Sequence, residues 1–94
     1  MNAVITGASR GIGKATARIF ATHGYDLFLT SKKEEILLQT IEELKREFPT
    51  ISVDGKAFDL GKKPQVQLFG EWINTNADSV DVVVNNAGSF VQGN

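Results

Sequence analysis

The chain has 94 residues, 41% hydrophobic and 22% charged, which is room for one ordinary globular domain at most. Its 10 basic and 11 acidic residues leave a net charge of −1, too weak a field to draw nucleic acid or an anionic membrane. The absence of cysteine and the single histidine exclude disulfides, thiolate chemistry and a structural zinc site.

Asn2 to Thr6 is a short apolar run stopped by Gly7, the pattern of a buried strand. From Gly11 to about His23 the spacing turns helical, with Ile12, Ala15 and Ile19 on one face, Thr16 and Phe20 beside it, and Gly24 as the expected stop. Leu27, Phe28 and Leu29 form a second strand. Glu34 to Phe48 is an amphipathic helix with Leu37, Ile41, Leu44 and Phe48 on its stripe, ended by Pro49. Ile51 to Phe58 reads as a third strand, broken by a turn-like Asp54-Gly55. Lys62 to about Asn76 gives a third helix with Val66, Phe69, Trp72 and Ile73 facing inward, and Val80 to Val84 a fourth strand. This alternation predicts a parallel sheet with helices on both faces, and near-continuous apolar strands agree. With nothing beside it, the fourth strand would be an open apolar edge. Further strands are therefore expected there, from the same polypeptide or from another subunit.

No apolar run approaches the roughly 20 residues needed to span a bilayer, and the N-terminus lacks the layout of a signal peptide. No membrane or nucleic-acid partner is expected, and the expected location is cytoplasmic.

Between the first strand and the first helix stands Thr6-Gly7-Ala8-Ser9-Arg10-Gly11-Ile12-Gly13. In a doubly wound sheet such a loop lies at the carboxyl end of the strands, where ligands settle. Its glycines let the backbone approach a pyrophosphate, and the helix behind it offers free amides and the positive end of its dipole. A plain strand-to-helix turn is the alternative for the loop taken alone. A Walker-type phosphate loop is excluded, because Ala8 stands at its first glycine position and Ala15 follows Lys14 in place of Ser or Thr.

The loop resembles the Thr-Gly-x-x-x-Gly-x-Gly motif of the short-chain dehydrogenase/reductase family, matched by Thr6, Gly7, Gly11 and Gly13. Phe58-Asp59-Leu60, at the end of the third strand, is similar to that family's adenine-contacting Asp with its neighbouring amide. Asn85-Asn86-Ala87-Gly88, closing the fourth strand, matches its Asn-Asn-Ala-Gly signature. The resemblance spans all 94 residues. It implies an α/β fold, a Rossmann-like doubly wound parallel sheet that is incomplete, with about four strands and three helices. It also implies a cofactor site made of Gly7, Ser9, Arg10, Gly11, Ile12, Gly13, Ser31, Lys32, Asp59, Leu60, Asn86, Ala87 and Gly88.

NAD members of the family carry an acidic residue at the end of the second strand, where this chain has Ser31; Lys32 and Arg10 match basic positions of NADP members. The resemblance thus implies NADP(H) as the preferred cofactor and NAD(H) as the alternative. The competing explanation is that Lys32 and Lys33 open a solvated helix surface and pair with Glu34 and Glu35.

Family members transfer a hydride between nicotinamide and a carbonyl or alcohol carbon, using a serine, a tyrosine and a lysine four residues after the tyrosine. A lysine in that place favours ionisation of the phenol. The only tyrosine here, Tyr25, is followed four residues later by Leu29 and stands before the second strand, so it is not the catalytic one. No catalytic or metal-ligating residue is therefore assigned. Residues 1–94 are expected to be the cofactor-binding N-terminal part of a single domain whose catalytic half lies beyond Asn94. The whole enzyme is expected to be a homo-oligomer acting on a small molecule. The alternative is a non-catalytic dinucleotide-binding module that completes its sheet with a partner chain. An epimerase-like relative fits less well, because extended members of the family space their glycines differently. Trp72 is expected in the core, and His23 serves the end of the first helix.

Overall fold

A computed structural model describes residues 1–86. Along them run β1 (Asn2–Ile5), α1 (Gly11–Thr22), β2 (Asp26–Leu29), α2 (Glu34–Glu47), β3 (Val53–Gly55), α3 (Lys63–Asn76) and β4 (Val82–Val84). The strands form one parallel sheet in the order β3-β2-β1-β4. The chain moves outward from β1 to β3 and then returns across the sheet to place β4 on the other side of β1. The order therefore reverses between β1 and β4, as in a doubly wound fold.

Alternation along the strands divides the core between two faces. Ala3, Ile5, Leu27, Leu29 and Val53 pack with Ala17 and Ala21 of α1 and with Leu37, Ile41 and Leu44 of α2. Phe28, next in line on β2, points the other way and meets Trp72 of α3 edge to face, with ring centroids 6.0 Å apart. Phe58 and Phe69 extend that aromatic cluster, both within about 6 Å of one another or of Trp72. Val66, Phe69, Trp72 and Ile73 are half-buried and no residue of α3 is fully covered, so α3 is held through one face only.

The face by which α1 packs differs from the one its bulky residues mark. Ile12 and Ile19 are 77% and 59% exposed, while Gly13, Ala17 and Ala21 are the buried positions. The helix lies so close to the sheet that only small side chains fit between them, and the larger apolar stripe is turned outward. Asp54-Gly55 is likewise no turn: both residues lie within β3, paired in register with Phe28 and Leu29. Asp26 is only partly exposed, and its carboxylate accepts the Ser52 N–H at 2.8 Å, tying the start of β2 to the approach of β3.

The two edges of the sheet are finished differently. At β3 the outward Gly55 N–H is taken by the Asp54 carboxylate at 2.8 Å, which blunts that edge against pairing. At β4 the apolar Val83 is 64% exposed.

Across the outer surface of α1 and α2, Lys14 Nζ lies 2.7 Å from Glu43 Oε2, and Arg18 donates twice to Glu47 Oε1. The hydrogen bond from Lys14, and then its charge, hold the Glu43 carboxyl below its ordinary value near 4.5. A carboxyl lowered in the folded chain stabilises it above the ordinary carboxylate range and ceases to do so as pH falls through the lowered value. Glu43→Gln is therefore expected to lower the thermal midpoint slightly at pH 7 and not at all in acid. Both side chains are solvent-accessible, so the effect is small. A pH-independent difference between the two proteins would contradict the assignment. Among the described residues, no helix is long and apolar enough to cross a membrane.

Candidate functional site

The loop from Thr6 to Gly13 owes its path to Gly7 and Gly11, whose φ angles of 59° and 60° lie in the left-handed region. Arg10 then takes the N-cap position of α1 in extended conformation, and no side chain caps the helix. The first-turn amides of Gly11, Ile12 and Gly13 are thus left to other partners, with the positive end of the helix dipole behind them.

The loop is tied to the neighbouring strand ends by a short chain of hydrogen bonds. Ala8 N–H donates to Thr30 O at 3.1 Å, and the Ser9 and Ser31 hydroxyls share a hydrogen bond of 2.6 Å. Thr30 Oγ1 in turn donates to Lys56 O at 2.8 Å, and the Phe58 N–H to Ser31 O at 3.1 Å. The carboxyl ends of β1, β2 and β3 are thereby fixed relative to one another.

β4 is tied in by a residue that pattern reading had placed only in a motif. Thr6 Oγ1 donates to Asn85 Oδ1 at 2.8 Å and accepts the Asn86 N–H at 2.9 Å, and Thr6 is 2% exposed. One hydroxyl therefore bridges β1 and β4 across the point where strand order reverses. Thr6→Val keeps the shape but removes both bonds. It is expected to cost about 1–2 kcal/mol in urea unfolding and to weaken ligand binding, because Asn86 loses its anchor. An unchanged stability would show that the bridge contributes nothing.

These strand ends enclose a cavity of about 360 Å³. It is lined by Gly7, Ser9 and Arg10 after β1, Thr30 to Lys33 after β2, Phe58 to Gly61 after β3, and Asn86 after β4. Of the residues singled out from sequence, Gly7, Ser9, Arg10, Ser31, Lys32, Asp59, Leu60 and Asn86 line it together. Gly11, Ile12 and Gly13 stand beside it in the first turn of α1 and not in its lining. Ala87 and Gly88 lie outside the described residues. Thr30, Lys33 and Gly61 line the cavity without having been singled out, and Phe58 lines it as the first residue of the Phe58-Asp59-Leu60 stretch. For Lys33 the signal was present in Lys32-Lys33, where either lysine could turn inward.

Charge around the opening is unbalanced. Arg10, Lys32 and Lys33 face it against the single carboxylate of Asp59. Asp59 Oδ1 accepts the Gly61 N–H at 3.1 Å, and its Oδ2 lies 3.9 Å from Lys32 Nζ. The Nδ2 of Asn86 is buried and, among the described residues, has no hydrogen-bond partner. A donor in that state is expensive unless a bound group meets it. Together these features suit a ligand with anionic groups and hydrogen-bond acceptors. No group of His, Cys, Asp or Glu among the described residues is placed to hold a metal ion. Tyr25 lies at the opposite end of β2, half-buried edge to face on Phe20 at 5.0 Å, and is a packing residue.

Known proteins share both the sequence and the shape. The (+)-neomenthol dehydrogenase of Arabidopsis thaliana is 37% identical over 89 residues, covering 92% of this chain and 30% of that protein. L-sorbose reductase from Gluconobacter frateurii, solved with NADPH and L-sorbose, superposes with a TM-score of 0.87 at 34% identity, over 93% of this chain and 33% of that one. A short-chain dehydrogenase from Sphingobium yanoikuyae in complex with NADPH gives 0.81 at 29% identity, over 92% and 33%. The chain spans about a third of the length of the curated relatives it matches. The family model for short chain dehydrogenases matches residues 1–94. With its doubly wound sheet, glycine loop and strand-end cavity, the chain belongs to the short-chain dehydrogenase family.

Proposed function

We propose that the chain binds NADP(H), in preference to NAD(H), in the cavity at the carboxyl end of its sheet. In this reading it is the cofactor-binding part of a cytoplasmic oxidoreductase acting on a small carbonyl or alcohol substrate. The observation that carries the reading is the convergence of Arg10, Lys32 and Lys33 on a cavity that has the uncapped first turn of α1 beside it and is lined by Asn86, whose buried Nδ2 has no partner among the described residues. The three cations offer a place for a 2′-phosphate. The first-turn amides of α1 offer one for the pyrophosphate, and Asp59 and Leu60 one for adenine. Ser31, at the end of β2, presents a hydroxyl where an acidic residue would repel a 2′-phosphate. NADPH-bound relatives support the same preference.

When bound, the reduced nicotinamide supplies a hydride to a carbonyl carbon. The residues of this chain hold and orient the dinucleotide, and none of them is assigned a proton-transfer role. The proton donor and the substrate contacts belong, in this reading, to sequence outside these 94 residues. A second reading is a module without catalysis that completes its sheet with a partner chain; the exposed Val83 of β4 fits it, and fits equally a sheet continued by the same polypeptide.

Trp72, the only tryptophan, packs on Phe58 beside the cavity, so energy transfer from it to the reduced nicotinamide reports binding. Titration is expected to show NADPH binding at least about tenfold more tightly than NADH, a difference of about 1.4 kcal/mol. Equal affinities would overturn the cofactor assignment. Sedimentation of the same protein distinguishes a lone chain from one paired through β4.

A further inference from the structure

Asp59 has two cationic neighbours at nearly equal distance. Lys32 Nζ is 3.9 Å from its Oδ2, and Lys62 Nζ is 4.0 Å from the same oxygen. The carboxylate itself is held in place, since Oδ1 accepts the Gly61 N–H at 3.1 Å and the Asp59 N–H donates to Gln65 Oε1 at 3.3 Å. The two lysines are not equivalent. Lys32 lines the cavity, whereas Lys62 stands outside it at the N-cap of α3. Both side chains are more than 70% exposed, so exchange between partners costs little.

A 2′-phosphate entering the cavity competes with Asp59 for Lys32. Were Lys32 its only partner, the carboxylate would be left uncompensated within the same cavity as the arriving anion. We propose that Lys62 is a selectivity residue: it takes over Asp59 when Lys32 turns to the phosphate, and so favours a 2′-phosphorylated adenosine over an unphosphorylated one. This rests on the NADP(H) reading given above.

The test is a double-mutant cycle by calorimetry on the full chain, with adenosine 2′,5′-bisphosphate and 5′-AMP as probes. Lys62→Gln is expected to weaken the bisphosphate about threefold and to leave 5′-AMP unchanged. In a Lys32→Gln background the same substitution is expected to have no effect on either probe, because there is no lysine to be released. Equal losses with and without Lys32 would make Lys62 a simple contributor to the local field and overturn the exchange. No loss in either background would overturn it as well. The NADP(H) reading fails separately, and is seen to fail, if the unsubstituted chain binds both probes equally. The Lys62 side chain is 72% exposed and takes no part in the core, so the variant retains the fold, which its circular dichroism spectrum checks.

Discussion

Gly13→Ala is expected to destabilise the chain by about 3 kcal/mol or more, a large share of the roughly 5–15 kcal/mol typical of a domain. A Cβ on residue 13 would stand 1.8 Å from Gly7 O, 2.6 Å from Gly7 C and 3.1 Å from Ala8 Cα. All three atoms are backbone, so no rotamer change relieves the overlap. The only escape is to lift α1 from β1, which would also draw Ala17 and Ala21 out of the core. The loop geometry that places the first-turn amides would be lost with it, so nucleotide binding falls together with stability. For a chain of this length the thermal midpoint should drop by more than about 12 °C. A drop below about 4 °C would mean that the glycine loop absorbs a methyl group, and that close approach of helix to strand is not what requires glycine there.

The second large effect concerns cofactor choice. Ser31→Asp combined with Lys32→Ala is expected to lower the ratio of NADPH to NADH affinity about a hundredfold, which is about 2.8 kcal/mol. The half-buried Ser31 already shares a hydrogen bond with Ser9 at 2.6 Å, so an aspartate there inherits a donor that orients it. Its charge would repel a 2′-phosphate and accept from free ribose hydroxyls, while loss of Lys32 removes a charge-assisted partner of the phosphate. The Lys32–Asp59 pair disappears too, but at 3.9 Å and with Lys32 73% exposed it contributes little. Fluorescence titration of both reduced cofactors measures the ratio. If it did not move, the phosphate would not lie between Arg10 and Lys32.

Where the sequence was legible, the signal was local. The strands β1, β2 and β4 are short, largely apolar runs ended by loops, and α2 carries a stripe (Leu37, Ile41, Leu44) that is buried as its spacing requires. Gly7, Ser9 and Arg10 of the glycine loop meet Ser31-Lys32 and Asp59-Leu60 in one cavity because each group follows a strand of a parallel sheet, and all such ends lie on one side. The face of α1 was not legible, because hydrophobic periodicity weighs bulk, whereas tight packing on a sheet selects the small residues Gly13, Ala17 and Ala21. Asp54-Gly55 has turn composition, yet the residues stay in β3 because the Asp54 carboxylate satisfies the outward Gly55 N–H. The Thr6 bridge to Asn85 and Asn86 joins residues about 80 positions apart, a separation that no local pattern reports.

Binding of NADP(H) at the carboxyl end of the sheet is tested most directly by mapping amide chemical shifts of the labelled chain as NADP⁺ is added. The expected result is a contiguous set of perturbed amides at Gly7 to Gly13, Ser31 to Lys33, Asp59 to Gly61 and Asn86, with the outer surface of α2 unaffected. No perturbation at millimolar NADP⁺, or one centred away from these strand ends, would contradict the site.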